Sequence, residues 1–284
     1  MKTTLSHLPP AKQNQVLEIT EIIKAVTTPE KVILFGSYAK GTYVEDRYLD
    51  KNGTRHEYIS DYDFLVVTKE TPSRASDLER DIVDRSRHID PDVNLEIHSI
   101  EYVNKGLELG EYFFVDIIKE GILLHDTEAI DFADPKELTP LEKKEKTRLY
   151  FDTWYPQAPE FIIHAKNASV RATYKIAAFF LHQATESLYY AILLVFTDYK
   201  PKTHNLWKLR KKAKPFSQEL FAVFKAETDK EDKHLFELLK RGYIDARYRT
   251  DYHITPQELE QLIERVEKMV TIIREACLEK IGLP

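Results

Sequence analysis

Asp61 and Asp63 are the residues of this chain whose types and spacing best suit chemistry. A single residue separates them. Side chains two apart on a strand project to the same side, so both carboxylates can grip one cation. Mg²⁺ prefers hard oxygen ligands and is usually held by one or two carboxylates together with substrate phosphates. The stretch KVILFGSYAKG, Lys31 to Gly41, supplies the complement. Its apolar run ends at Gly36-Ser37. Gly36 permits a tight turn and the close approach of a phosphate to the backbone. Ser37 offers a hydroxyl and an N–H, and Lys40 adds a charge-assisted contact. A further carboxylate is needed to complete a two-metal site or to take the proton of an attacking hydroxyl. Val93 to His98 alternates as a strand. Glu96 is its best carboxylate, with Asp92 in reserve.

These groups need a scaffold. Residues 11–26 have Val16, Ile19, Ile23 and Val26 at helical spacing, which predicts a helix. Strands are expected at 31–36, 62–68, 93–100 and 121–125, and helices at 76–87 and 111–119. Alternation of this kind predicts an α/β layer. Asn52-Gly53, between flanks rich in strand formers, predicts an inserted hairpin over Tyr43–Ser60 that extends the strands.

Residues 127–138 form a polar connector, and beyond it the pattern is helical. Thr139-Pro140-Leu141-Glu142 and Thr255-Pro256-Gln257-Glu258 are capping boxes with proline at the first helical position. Long helices are expected over about 169–197, 231–248 and 256–280, which makes a bundle. The fold class expected is α+β, with domains at 1–130 and 139–284.

Gly36-Ser37, Asp61-x-Asp63 and a later strand acid resemble the minimal nucleotidyltransferases of the polymerase-β superfamily, to which the kanamycin nucleotidyltransferases also belong. The resemblance implies a mixed sheet and transfer of a nucleoside monophosphate with release of pyrophosphate. It makes Asp61, Asp63 and Glu96 the metal-binding and catalytic acids, with two Mg²⁺ ions expected. Gly36, Ser37 and Lys40 would hold the nucleotide, ATP being the first candidate. The acceptor hydroxyl is open among a protein, an RNA end and a small molecule.

In the second half, LHQATESL from Leu181, YKPKTHNL from Tyr199 and GYIDARY from Gly242 resemble HEPN domains. These are helical bundles found beside minimal nucleotidyltransferases, and the resemblance implies help with acceptor binding. Some HEPN domains are metal-independent ribonucleases that use an Arg and a nearby His. Arg247 and His253 have suitable spacing, but the Ala246-Arg247-Tyr248 context resembles the non-nucleolytic branch. Two alternatives follow. One is a fused toxin–antitoxin or defence module with a ribonuclease bundle, and the other a nucleotide sensor with a degenerate transferase site. HEPN bundles usually pair, and with Tyr189, Tyr190 and Phe196 taken as exposed, a homodimer is expected.

The 284 residues suit one large or two ordinary domains. A net charge of −6 argues against a general nucleic-acid binder. The single cysteine, Cys277, excludes an internal disulfide and fits a reducing compartment. No apolar run long enough for a membrane and no signal-peptide core is read in the sequence, so a soluble cytoplasmic protein is expected. Lys208–Lys214 reads as a solvated basic helix face, and His204 as a helix cap. Gln183 and Glu186, within an apolar helix, either hydrogen-bond inside the bundle or line a cavity.

Overall fold

The computed structural model describes residues 1–49 and 55–282. The chain divides into two compact units, Met1–Glu137 and Leu138–Pro284. The first is a layered α/β unit and the second a helical bundle, an α+β chain.

In the first unit the order is α1 (Pro10–Thr27), β1 (Lys31–Phe35), α2 (Gly36–Lys40), β2 (Glu45–Leu49), β3 (Arg55–Ile59), β4 (Tyr62–Thr68) and α3 (Ala75–Arg85). Then come β5 (Val93–Ser99), α4 (Ile100–Glu108), α5 (Tyr112–Glu120) and β6 (Ile122–Asp126). Among the described residues, β5-β4-β1-β6 form one mixed sheet of four strands. β1 runs antiparallel to β4 and β6, and β4 runs parallel to β5. Val32, Leu34, Phe64, Val66 and Leu95 face Val16, Ile19 and Ile23 of α1 and Ile82 of α3. Strand alternation sends Ile33, Leu65 and Val67 to the other face, which α4 and α5 cover. Both faces are buried, so the strands read as unbroken apolar runs. Each Val, Leu or Ile side chain buried this way contributes about 1.5–3 kcal/mol relative to exposure.

β2 and β3 pair as an antiparallel ribbon of their own, separate from the main sheet. The insertion is therefore a hairpin beside the sheet and not an extension of its strands. Its expected Asn52-Gly53 turn lies outside the described residues. Helix α4 has no counterpart in the sequence reading. It starts directly after β5, where Ser99 accepts the Tyr102 N–H as N-cap.

The second unit contains α6 (Pro140–Trp154), α7 (Gln157–Val170), α8 (Tyr174–Thr197), α9 (Leu206–Ala213) and α10 (Gln218–Ala222). It continues with α11 (Lys230–Arg241), α12 (Asp245–Tyr248) and α13 (Pro256–Ile281). Both capping boxes form, at Thr139/Glu142 and Thr255/Glu258. α8 is the central helix and packs on α6, α7, α9, α11, α12 and α13. It is long and apolar enough to cross a membrane by composition, contrary to the sequence reading, but its apolarity is spent inside the bundle.

Three expectations change here. The helix read over 169–197 is two helices, because Ala172 turns with φ 56 and Thr173 folds back to bond the Ala168 carbonyl through both N and Oγ1. The helix read over 231–248 breaks at Gly242. A β-carbon there would stand 2.7 Å from the Ala178 carbonyl oxygen, so the corner rests directly on the backbone of α8. Tyr189 and Tyr190 are core residues, 1% and 2% exposed, and Phe196 packs against the same core. They give no support to a dimer surface. Cys277 is also core, its thiol pushed up to about 12 by burial.

Candidate functional site

The first site is built at the ends of three strands. In the β1–β4 register Phe35 stands opposite Asp63, and in the β4–β5 register Asp63 stands opposite Asn94. Gly36 therefore starts α2 directly beside Asp63. Its φ is +72, and a β-carbon would lie 2.4 Å from Asp63 Oδ2. Only glycine fits that approach. The next residue but one, Tyr38, anchors α2. Its fully buried ring stacks on Tyr43 and lies against Tyr62, both at 4.3 Å between centroids.

The two aspartates converge. Asn94 Nδ2 donates to Asp61 Oδ2 at 3.1 Å and to Asp63 Oδ1 at 3.2 Å. Asn94, which sequence reasoning passed over, is thus the β5 side chain that touches both. The signal for it was a polar residue within a buried strand, and the register needed to read it comes only from the parallel pairing.

Glu96 lies two residues further along the same side of β5, opposite Leu65. It is 8% exposed, and His98 Nε2 approaches its Oε2 at 3.4 Å. The His98 ring stacks on Tyr102 at 4.8 Å. Asp92 precedes β5 and accepts the Tyr62 N–H through its backbone carbonyl. Lys40 pairs with Glu120 at 2.5 Å, both about half exposed. Among the described residues no group of three or more His, Cys, Asp or Glu side chains is placed to hold a metal ion. The structure thus brings together Gly36, Asp61, Asp63 and Asn94, with Glu96 one step along the strand.

The second cluster gathers the three segments singled out in the helical half. Glu186 of α8 accepts from His204 Nδ1 at 2.7 Å, and His182 Nε2 lies 3.7 Å from the same oxygen. His182 Nδ1 donates to the Leu239 carbonyl. The Tyr243 ring, carried by the Gly242 corner, stacks with both His182 and His204, at 5.2 and 4.9 Å. Burial alone would raise the Glu186 carboxyl, but the two histidines outweigh it and hold it below the ordinary carboxylate range. His204 is therefore a partner of Glu186. The cap of α9 is Asn205, which accepts the Trp207 N–H.

Arg247 and His253 are not joined by a hydrogen bond or ion pair among the described residues. Arg247 Nε donates to the Tyr243 carbonyl at 2.7 Å, and its guanidinium lies over Phe179, Tyr243 and Tyr248. His253 lines a shallow open groove with Thr173, Lys175 and Ile176. Tyr252 between them is fully buried and donates to the Leu238 carbonyl. The basic run 208–214 is not wholly solvated either. Arg210 is 2% exposed and binds Glu227 and the carbonyls of Phe221 and Phe224.

The HEPN family model matches residues 151–276, and the helical unit carries a HEPN domain. Among solved structures, the chain is similar to a nucleotidyltransferase-like protein from Exiguobacterium sibiricum 255-15, at 14% identity. That match covers 93% of this chain and 78% of that one with a TM-score of 0.31, a likeness too loose to carry an argument. No curated protein matches the chain.

Proposed function

We propose that the α/β unit is a Mg²⁺-dependent nucleotidyltransferase site that takes a nucleoside triphosphate, with ATP the first candidate. The observation that carries this reading is the convergence of Asp61 and Asp63 on one amide, beside a glycine whose missing side chain lets the Asp63 carboxylate pack against the start of α2. The donor set suits Mg²⁺, which takes hard oxygens and completes its shell with phosphate oxygens and water. Asp61 and Asp63 would hold the ion, and Gly36 with Ser37 borders the approach of the phosphates. When bound, the ion would neutralise phosphate charge and orient the triphosphate for in-line displacement.

The chain's own part is positioning and proton transfer. An acceptor hydroxyl oxygen forms a bond to the α-phosphorus as the bond to the bridging oxygen of the β-phosphate breaks, and pyrophosphate leaves. The hydroxyl proton goes to a carboxylate, for which Glu96, two residues along β5 from Asn94, is the candidate. The HEPN domain binds the acceptor, which is a protein, an RNA end or a small molecule.

One observation favours a second reading. Asn94 stands where a third carboxylate would face both aspartates, and Glu96 is engaged with His98. A site so built would bind a metal–nucleotide complex without turning it over and act as a sensor. Incubation with labelled triphosphates, Mg²⁺ and candidate acceptors, followed by mass spectrometry, separates the two. A labelled acceptor together with released pyrophosphate supports transfer. Mg²⁺-dependent binding without label supports the sensor, and no binding of any triphosphate sinks both.

A further inference from the structure

We infer that the acceptor is RNA, and that the outer face of α9 is where the HEPN domain holds its phosphates. The binding face stands by itself, and only RNA's part as acceptor rests on the transferase reading. The net charge of −6 conceals a division. Residues 1–137 carry 16 Lys and Arg against 27 Asp and Glu, a net −11. Residues 138–284 carry 25 against 20, a net +5. Every acid of the bundle is in that second figure, so ion pairs inside the bundle do not reduce it. The excess is concentrated: from Tyr199 to Gln218 there are six Lys and one Arg, and no Asp or Glu.

The fold turns this run outward. Asn205 caps α9, and Leu206, Leu209, Arg210 and Ala213 are its buried face. Arg210 is spent inside, on Glu227 and the carbonyls of Phe221 and Phe224, and so ties the helix down. Lys208, Lys211 and Lys212, three and four residues apart, fall on the opposite face and are partly exposed. Lys202 before the helix and Lys214 after it extend the ridge. Acids that border the run are engaged with other groups: Asp198 with Lys146, Glu186 with His204, and Glu237 with Trp207 and Lys240.

A row of ammonium groups without interspersed acids suits a row of phosphates, which lysine meets as a point charge. Of the three acceptor classes only RNA is a polyanion along its length. A protein side chain needs no such ridge, and a cationic small molecule is repelled by it. At physiological salt charges are screened over about 8 Å, so a phosphate touching α9 feels the local run and not the charge of the whole chain. Such contacts carry no base readout, and the ridge holds RNA without regard to sequence.

The test is fluorescence anisotropy of a labelled single-stranded RNA with the full chain, across a range of salt. Each phosphate met by a single strand adds about 0.7 to the salt slope, so five lysines give about 3.5. Lys208→Glu, Lys211→Glu and Lys212→Glu together should weaken binding by about tenfold or more at low salt and lower the slope by about 2. The same three changed to Gln, which keeps helix propensity, serve if the Glu triple does not fold. Arg247→Ala should bind as the wild type does. Absence of RNA binding by the wild type at low salt overturns the inference, as does full binding by a folded triple variant. Poly-glutamate bound as tightly as RNA, and lost in the triple, replaces RNA by an acidic protein. RNA held by α9 that takes no label from a triphosphate, while another acceptor does, overturns its part as acceptor and leaves the transferase reading standing. Failure of every acceptor to take label removes the transferase reading and leaves the RNA-binding face.

Discussion

Gly36 and Asp63 touch so closely that no side chain fits between them: a β-carbon on Gly36 would stand 2.4 Å from Asp63 Oδ2 and 3.3 Å from its Cγ. Gly36 also holds φ +72, where an L side chain costs about 1–2 kcal/mol. Gly36→Ala should therefore lose about that much stability. It should also push the Asp63 carboxylate aside and weaken Mg²⁺-dependent triphosphate binding. Melting curves and nucleotide titrations check the two effects separately.

Asp63→Asn should abolish metal-dependent nucleotide transfer and leave the fold intact. The change keeps the volume and removes one of two hard anionic oxygens. An unaltered melting temperature with lost transfer is the expected pair of results, and retained transfer would remove Asp63 from the catalytic set.

Glu186 should give the protein an acid-sensitive component of stability. Its carboxyl lies below the ordinary range in the folded protein, so the folded state binds fewer protons there than the unfolded chain. The contribution is complete above the unfolded value, about 4.3, and is lost as pH falls through the lower folded value. Denaturant titrations stepped downward from about pH 5 should show the wild type losing more stability than Glu186→Gln.

Arg210→Ala should cost about 3 kcal/mol, because it strands acceptors that a nearly inaccessible guanidinium now satisfies. A urea transition with an unchanged slope and a lower midpoint is the expected form. Lysine should not rescue it fully, since one ammonium cannot reproduce the fork that meets Glu227 and two carbonyls.

The wild type should not cleave RNA above background, and Arg247→Ala and His253→Ala should not change that. Arg247 is tied back to the Tyr243 carbonyl and faced by three aromatic rings, and His253 sits in a separate groove. Robust cleavage by the wild type, lost in either variant, would restore the toxin reading.

The carboxylate pair, the glycine turn and the strands around them were legible because buried strands are apolar runs and polar residues at their ends stand out. Asn94 was not legible, since its role depends on β4 and β5 pairing in parallel with Asp63 opposite it. Residue type alone favoured Glu96 on the same strand. Helix α4 escaped because nothing but a serine separates it from β5. The break at Ala172 escaped because it uses neither glycine nor proline. The aromatics at 189 and 190 were misplaced because α8 is enclosed by helices on nearly every side, and such a helix has no polar face to reveal its orientation.

At Gly242, helix α11 ends against bare main chain of α8, with no side chain between them. Spacing between helices elsewhere in the bundle depends on side-chain volume and drifts as the core is resized. Here it is gauged by peptide atoms, whose dimensions no substitution alters. Tyr243, the next residue, inherits that fixed reference. Its ring can keep its register with His182 and His204 while the sequence around it changes, and the corner serves as a datum from which the rest of the cluster is measured.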